Sequence, residues 1–144
     1  MKAEATANQP HSIKSYSLLV VDDNSVNRIM LSRYLARLGY QTTLIANGRL
    51  ALEKLQSEPF DLVLLDVEMP EMDGYQVLEH LKADPRLRDI PVIIISALEE
   101  LESVVRCIEL GAQDYLPKPF NQVLLRARLT ACLERKRMRD QEVE

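Results

Sequence analysis

Five short apolar runs divide this chain, and stretches with helical spacing separate them. The first run, residues 17–21, ends in Asp22-Asp23; the second spans 41–46; the third, 62–65, ends in Asp66. Pro91 leads into the fourth, 92–96, which closes on Ser96, and the fifth is the short segment 114–116, followed by Pro117-Lys118-Pro119. Each run predicts a strand. Between the first two, Val26, Ile29, Met30, Leu35 and Leu38 recur at helical spacing, with Asn24 or Ser25 placed to cap the helix and Gly39 to end it. Asn47-Gly48 reads as a turn before a short helix over 49–56. Residues 70–74 read as a loop before a helix over 75–82. A further helix over 101–110 is stopped by Gly111, and a last one runs from Asn121 to about Arg139.

The strands read as short, uniformly apolar and β-branched rather than alternating, which is the pattern of strands buried on both faces. Strands alternating with helices predict a parallel sheet wrapped by helices on both faces, and right-handed crossovers make it a doubly wound α/β fold of five strands. Ligands in such folds bind beyond the carboxyl ends of the strands, where the strand order reverses. The chemistry is therefore expected immediately after each apolar run.

Those positions hold Asp22 and Asp23, then Asp66, Ser96 and Lys118. A sheet order 2-1-3-4-5 brings them into one crevice. Two unit charges about 4 Å apart cost on the order of 4 kcal/mol at an effective dielectric near 20, so three clustered carboxylates either hold protons or bind a cation. All-oxygen ligation without histidine or thiolate suits Mg2+. Asp61 is a useful contrast. It opens the strand that Asp66 closes, roughly 17 Å away at about 3.3 Å per residue, and is assigned no chemistry. Singly, each residue has a plainer reading: Asp23 or Asn24 as a helix cap and Asp66 as a turn residue, while a lone Ser96 or Lys118 carries almost no signal. Their occurrence at four successive strand ends favours a site.

Composition narrows the class. The chain has 144 residues, enough to bury a core without disulfides or metal staples, and its 47% apolar and 28% charged residues are ordinary for a globular domain. A formal charge of −4 speaks against a general nucleic-acid binder, and no direct nucleic-acid role is assigned. Cys107 and Cys132 fit no metal or redox spacing and read as buried, reduced thiols. No apolar run approaches the roughly 20 residues of a membrane span, and no signal segment is visible, so a cytoplasmic location without membrane association is expected. Neither G-x-G-x-x-G nor a P-loop is present.

Val20-Val21-Asp22-Asp23-Asn24, the stretch from Leu65-Asp66 through Pro70 to Asp73-Gly74, Ile95-Ser96-Ala97, and the segment Tyr115 to Phe120 together resemble the receiver domains of two-component response regulators. The likeness covers about residues 16–134. It implies a flavodoxin-like strand order 2-1-3-4-5. Residues 1–15, polar and without period, read as a disordered lead-in, and 135–144 as a charged helical extension. The resemblance also implies roles. Asp66 is the phosphoacceptor. Asp23 and Asp66 bind Mg2+ directly with the backbone carbonyl of Glu68, and Asp22 acts mainly through metal-bound water. Ser96 donates a hydrogen bond to the phosphoryl group, and Lys118, joined to Pro119 by a cis bond, pairs with a phosphoryl oxygen. Tyr115 is the switch aromatic, turning inward when Ser96 moves. The implied donor is a sensor histidine kinase, a phosphotransfer protein or a small acyl phosphate. The implied output leaves through the face built from the fourth helix, fifth strand and fifth helix. A homodimer through that face is compatible with the sequence, which does not require it.

Glu68, two residues past Asp66, is expected at the mouth of the site, where it tunes the lifetime of the acyl phosphate through water or donor access, with Leu98 as the wall opposite. His80 reads as a surface residue. The stretch 134–144 reads either as a frayed, solvated helix end or as a truncated signalling helix leading to an output domain. Two other classes compete. A Mg2+-dependent aspartyl phosphatase is disfavoured because Glu68 stands where such enzymes carry a second Asp and no cap domain is available. A degenerate receiver acting only as a phosphorylation-independent binding module is disfavoured because all five site positions are intact. The expectation is thus a signalling phosphoacceptor that catalyses only its own phosphorylation and dephosphorylation.

Overall fold

The computed structural model describes residues 15–97 and 101–143. The expected lead-in, apart from Ser15, and the wall assigned to Leu98 lie outside the described residues. Ten elements alternate: β1 (Ser17–Val21), α1 (Ser25–Arg37), β2 (Gln41–Ile45), α2 (Gly48–Ser57), β3 (Leu62–Asp66), α3 (Gly74–Ala83), β4 (Val92–Ser96), α4 (Leu101–Glu109), β5 (Asp114–Pro117) and α5 (Gln122–Val143). The strands form one parallel sheet in the order β2-β1-β3-β4-β5, as the sequence predicted.

Side chains alternate across this sheet, because successive Cβ atoms point to opposite faces. Leu19, Val21, Val63, Leu65, Val92 and Ile94 pack on one face with Ala51 and Leu55 of α2, Val77, Leu78 and Leu81 of α3, and Cys107 of α4. Leu18, Val20, Leu62, Leu64, Ile93 and Ile95 pack on the other with Leu31 and Leu35 of α1 and Leu125, Leu129 and Cys132 of α5. Full burial of each such leucine or isoleucine contributes about 1.5–3 kcal/mol. Cys107 and Cys132 are free and buried, and burial raises both thiols.

The expectation of uniformly buried strands holds for β3 and β4 and fails for β2, whose Gln41 and Leu44 are exposed. β2 is an edge strand, paired with β1 alone. Asn47-Gly48 is a helix start rather than a free turn: Asn47 caps α2 by accepting the Leu50 amide at 2.9 Å. Asn24 caps α1 in the same way, through Asn27 N. Gly39, at φ 96°, ends α1 with Tyr40 N bonded to Leu35 O and Gly39 N to Ala36 O, the paired bonds of a left-handed C-terminal cap. Gly111 repeats this after α4 through Ala112 N to Cys107 O and Gly111 N to Ile108 O.

The stripe expected to bury α1 is also corrected. Val26, Ile29 and Met30 are exposed, whereas Leu31 and Leu35 are buried with Asn27, Arg28 and Tyr34 half-buried. The inward face thus begins on two polar residues.

At the far end, α5 remains helical to Val143, past the end near Arg139 that periodicity predicted and through most of the charged helical extension expected over 135–144. Its last turns are not simply solvated. Lys136 is mostly covered and lies 3.7 Å from Asp61, and Arg139 donates to Asp89 O at 2.6 Å. No described helix is long and apolar enough to cross a membrane.

Candidate phosphoacceptor site

Register builds the site. Val21 pairs with both Ile45 and Leu65, so the residues that follow, Asp22 and Asp66, emerge side by side from the two central strands. Ser96, ending β4, pairs with Pro117 of β5, which puts Lys118 just beyond the same edge. Lys118 N donates to Ser96 O at 2.8 Å, extending that pairing by one residue, and the Lys118-Pro119 bond is cis.

One carboxylate oxygen from each of Asp22, Asp23 and Asp66 lies within 4.8 Å of the others. Asp22 and Asp66 are buried and Asp23 is exposed, so the cluster opens toward solvent on the Asp23 side. Lys118 Nζ bridges the buried pair, 3.3 Å from Asp22 Oδ2 and 3.3 Å from Asp66 Oδ1. Burial opposes the lysine's charge, but Asp66 and Asp22 outweigh it and raise its pKa. Burial, then the neighbouring Asp22 charge, lifts Asp66 to about 6, against the opposing pull of Lys118 and of the Glu68 amide. That amide donates to Asp66 Oδ1 at 3.2 Å. One ammonium against three carboxylates leaves an excess of negative charge on hard oxygen donors, and that donor set suits a divalent cation such as Mg2+.

Asp22 is gripped on every side. Its amide bonds Ile45 O at 3.1 Å. Its carboxylate accepts Asn24 N at 2.9 Å and Asn27 Nδ2 at 3.4 Å, and its carbonyl accepts Arg28 Nη1 at 2.7 Å. Asn27 and Arg28 escaped sequence reasoning. Only the rotation of α1, which the apolar residues misreported, shows that they face inward.

The loop after Asp66 is held close. Gly74 N donates to Val67 O at 2.9 Å, and a Cβ on Gly74 would meet Asp66 O at 2.5 Å. Asp73 and Gln76 form a reciprocal capping box at the start of α3, which fixes the far end of this loop. Glu68 is exposed, at the rim. Ser96 is fully buried. Tyr115 is half-buried and directed inward, its hydroxyl 3.5 Å from Ser96 O. His80 is exposed, with Nδ1 2.8 Å from Gln76 O, remote from this chemistry.

Known proteins match this chain in sequence and in fold. The family model of the response regulator receiver domain matches residues 18–130. A two-component response regulator of rice, ORR5, is 42% identical over 103 residues, covering 71% of this chain and 77% of its own length. The signal receiver domain of a signal transduction histidine kinase from Syntrophus aciditrophicus superposes with a TM-score of 0.78 at 39% identity, covering 83% of this chain and 91% of that one. The receiver domain of sensor histidine kinase PA1611 from Pseudomonas aeruginosa, described with a magnesium ion coordinated in its active-site cleft, gives a TM-score of 0.78 at 30% identity, covering 84% and 99%. Other curated relatives are longer: the chain spans about half of one, 51% of its length. With its five-stranded 2-1-3-4-5 parallel sheet, its acidic crevice and a family match over most of its length, this chain belongs to the response-regulator receiver domains of two-component signalling systems.

Proposed function

We propose that the protein takes a phosphoryl group onto Asp66 and reads it out through Ser96 and Tyr115. The observation that carries this reading is the bridge of Lys118 across Asp22 and Asp66 beside the exposed Asp23. An Asp66 carboxylate oxygen attacks phosphorus, the bond to the donor's nitrogen or oxygen breaks, and the leaving group departs with that electron pair, taking up a proton. Such transfer depends on positioning and charge neutralisation. Lys118 is placed to follow the negative charge from the carboxylate to the transferred oxygens. Asp23, Asp66 and the Glu68 carbonyl would hold Mg2+, with Asp22 acting mainly through its water. When bound, the ion supplies charge neutralisation for the phosphoryl oxygens.

The product is an acyl phosphate, with about −1.5 to −2 added charges and strong acceptor oxygens. Ser96 Oγ is the nearby hydroxyl that moves to donate to them, and Tyr115 follows into the space released beside β4. The Tyr115 hydroxyl, 3.5 Å from Ser96 O, supports a coupling of the two residues in such a switch. The face it belongs to carries exposed Val105 and Ile108 on α4 and Val123 on α5, a fitting surface for an output domain, a target protein or a second copy. The donor class is a phosphohistidine on a sensor kinase or phosphotransfer protein, in the cytoplasm. Residues 16–134 are assigned to the receiver, and 135–144 to its charged helical extension.

Intact mass after incubation with a small acyl-phosphate donor tests the reading, with and without Mg2+, on the wild type and Asp66→Asn. One phosphoryl group gained only with Mg2+ and only by the wild type supports it. No gain from any donor, candidate histidine kinases included, leaves a phosphorylation-independent binding module.

A further inference from the structure

The corrected rotation of α1 turns its first inward positions toward the acidic crevice. Leu31 and Leu35 occupy the buried stripe; one turn earlier the same stripe passes through Asn27 and Arg28. A helix buries apolar residues at such positions unless something polar faces them. What faces them is Asp22. Arg28 reaches its carbonyl at 2.7 Å, and Asn27 reaches its carboxylate at 3.4 Å.

These contacts do different work from those already described. Lys118 and the Asn24 amide act on the Asp22 carboxylate as charge and dipole. Arg28 grips the main chain at the one residue where β1 stops being a strand. Asp22 N is still bonded to β2 through Ile45 O, whereas its carbonyl has left the sheet. A carbonyl there without a partner leaves the next peptide free to rotate, and that peptide carries Asp23. The guanidinium therefore restrains the peptide that leads to Asp23, alongside the Asn24 amide on the Asp22 carboxylate.

We infer that Arg28, assisted by Asn27, is a positioning residue that holds the Asp22-Asp23 turn in the geometry needed for divalent-cation binding. This rests on the proposed function above, since it assigns the partner of the same crevice. Outer contacts that orient ligands typically control metal affinity by about 10–100-fold.

The charge of Arg28 makes the test sharp. If Arg28 acted only as a nearby positive charge, its removal would make the crevice more negative and tighten Mg2+. If it acts by holding the turn, removal weakens Mg2+. Titration calorimetry with MgCl2 on the folded full chain distinguishes the two, with melting in EDTA measured alongside. For Arg28→Met the expected result is roughly tenfold weaker Mg2+ binding. Arg28→Lys, which keeps a donor, recovers part of it. Asn27→Ala weakens binding by a smaller factor without changing charge, and keeps the test open if Arg28→Met does not fold. Unchanged or tighter Mg2+ binding in both Arg28→Met and Asn27→Ala overturns the inference, even where melting temperature falls, because that is a purely structural role. Absence of Mg2+ binding by the wild type instead overturns the functional reading itself.

Discussion

Lys136 Nζ lies 3.7 Å from Asp61 Oδ1, on the edge of the sheet opposite the acidic crevice. The other oxygen of the same carboxylate accepts Ser17 N at 2.8 Å. Asp61 thus ties three elements together: the start of β1, the approach to β3 and the last turns of α5. Its carboxylate is largely covered, as is the Lys136 ammonium. An amide caught in such a place loses a partner that water does not readily replace. Asp61→Ala is expected to cost about 1–3 kcal/mol, the penalty of a covered donor left unsatisfied. Asp61→Asn keeps an acceptor for Ser17 and loses the ion pair, which for a partly exposed pair is worth about 0–1 kcal/mol. Urea unfolding of the two variants checks this; equal losses would mean that the charge, not the hydrogen bond, matters here.

Gly74 supplies a second test. Its missing Cβ leaves room for backbone atoms, Asp66 O at 2.5 Å and Val67 Cα at 2.7 Å, which cannot swing aside as a side chain does. Gly74→Ala is expected to destabilise by about 1–3 kcal/mol, as overpacking does. Because the most crowded atom is the carbonyl oxygen of the proposed phosphoacceptor, phosphorylation by a small donor should slow more than the loss of stability explains. A variant phosphorylated at the wild-type rate would separate the loop packing from the chemistry.

Strand ends were legible because parallel sheets leave a strong sequence signal: continuous runs such as those at β3 and β4, each closed by one polar residue. That signal located Asp22, Asp66, Ser96 and Lys118 and the edge they share. It failed where burial is one-sided. β2 carries Gln41, Thr42 and Thr43 because it is an edge strand. On α1, Val26, Ile29 and Met30 are more apolar than Asn27 and Arg28, yet the polar pair faces inward because it has Asp22 to bond. Periodicity measures apolarity, and it points the wrong way whenever a helix turns polar side chains toward a charged site. The anchoring of α5 was hidden for a related reason. Lys136 and Arg139 in a run of charges look solvated until Asp61 and Asp89 O are seen to meet them.

Asp66 ties stability to pH in metal-free buffer. Its carboxyl stands at about 6 in the fold, first through burial and then through Asp22, against an ordinary value of 3.8. A raised acid holds its proton more tightly folded than unfolded. Below 3.8 both states are protonated and nothing is lost. As pH rises toward 6 the unfolded chain ionises first, and the fold loses stability, on the order of 2–3 kcal/mol once both states are ionised. Asp66→Asn removes that loss. In EDTA the variant is expected to melt higher than the wild type at about pH 7.5 and at the same temperature near about pH 4. Calorimetric scans at the two values decide it; a constant gap would assign the difference to packing rather than to the proton. Added Mg2+ should narrow the gap at the higher pH, since it favours the ionised wild type.

Glu68 governs access, in our reading, and its position makes the sign of one effect calculable. Its amide is bonded to Asp66 while its side chain stands exposed at the rim. A carboxylate there adds to the negative field that an anionic donor must cross. Neutralising it in Glu68→Gln should speed phosphorylation by a small acyl phosphate about two- to fivefold at low ionic strength, by favouring encounter. The gain should fade as salt rises, because the Debye length shortens from about 30 Å at 0.01 M to about 10 Å at 0.1 M. The lifetime of the phosphorylated state is read from the same samples. Attack by neutral water does not feel the charge as an anion does, so any change in dephosphorylation should persist in high salt and report on the shape of the opening. Initial rates by intact mass at two salt concentrations suffice. A rate gain that ignores salt would place the effect of Glu68 in its bulk, and no change in either rate would remove its side chain from the chemistry.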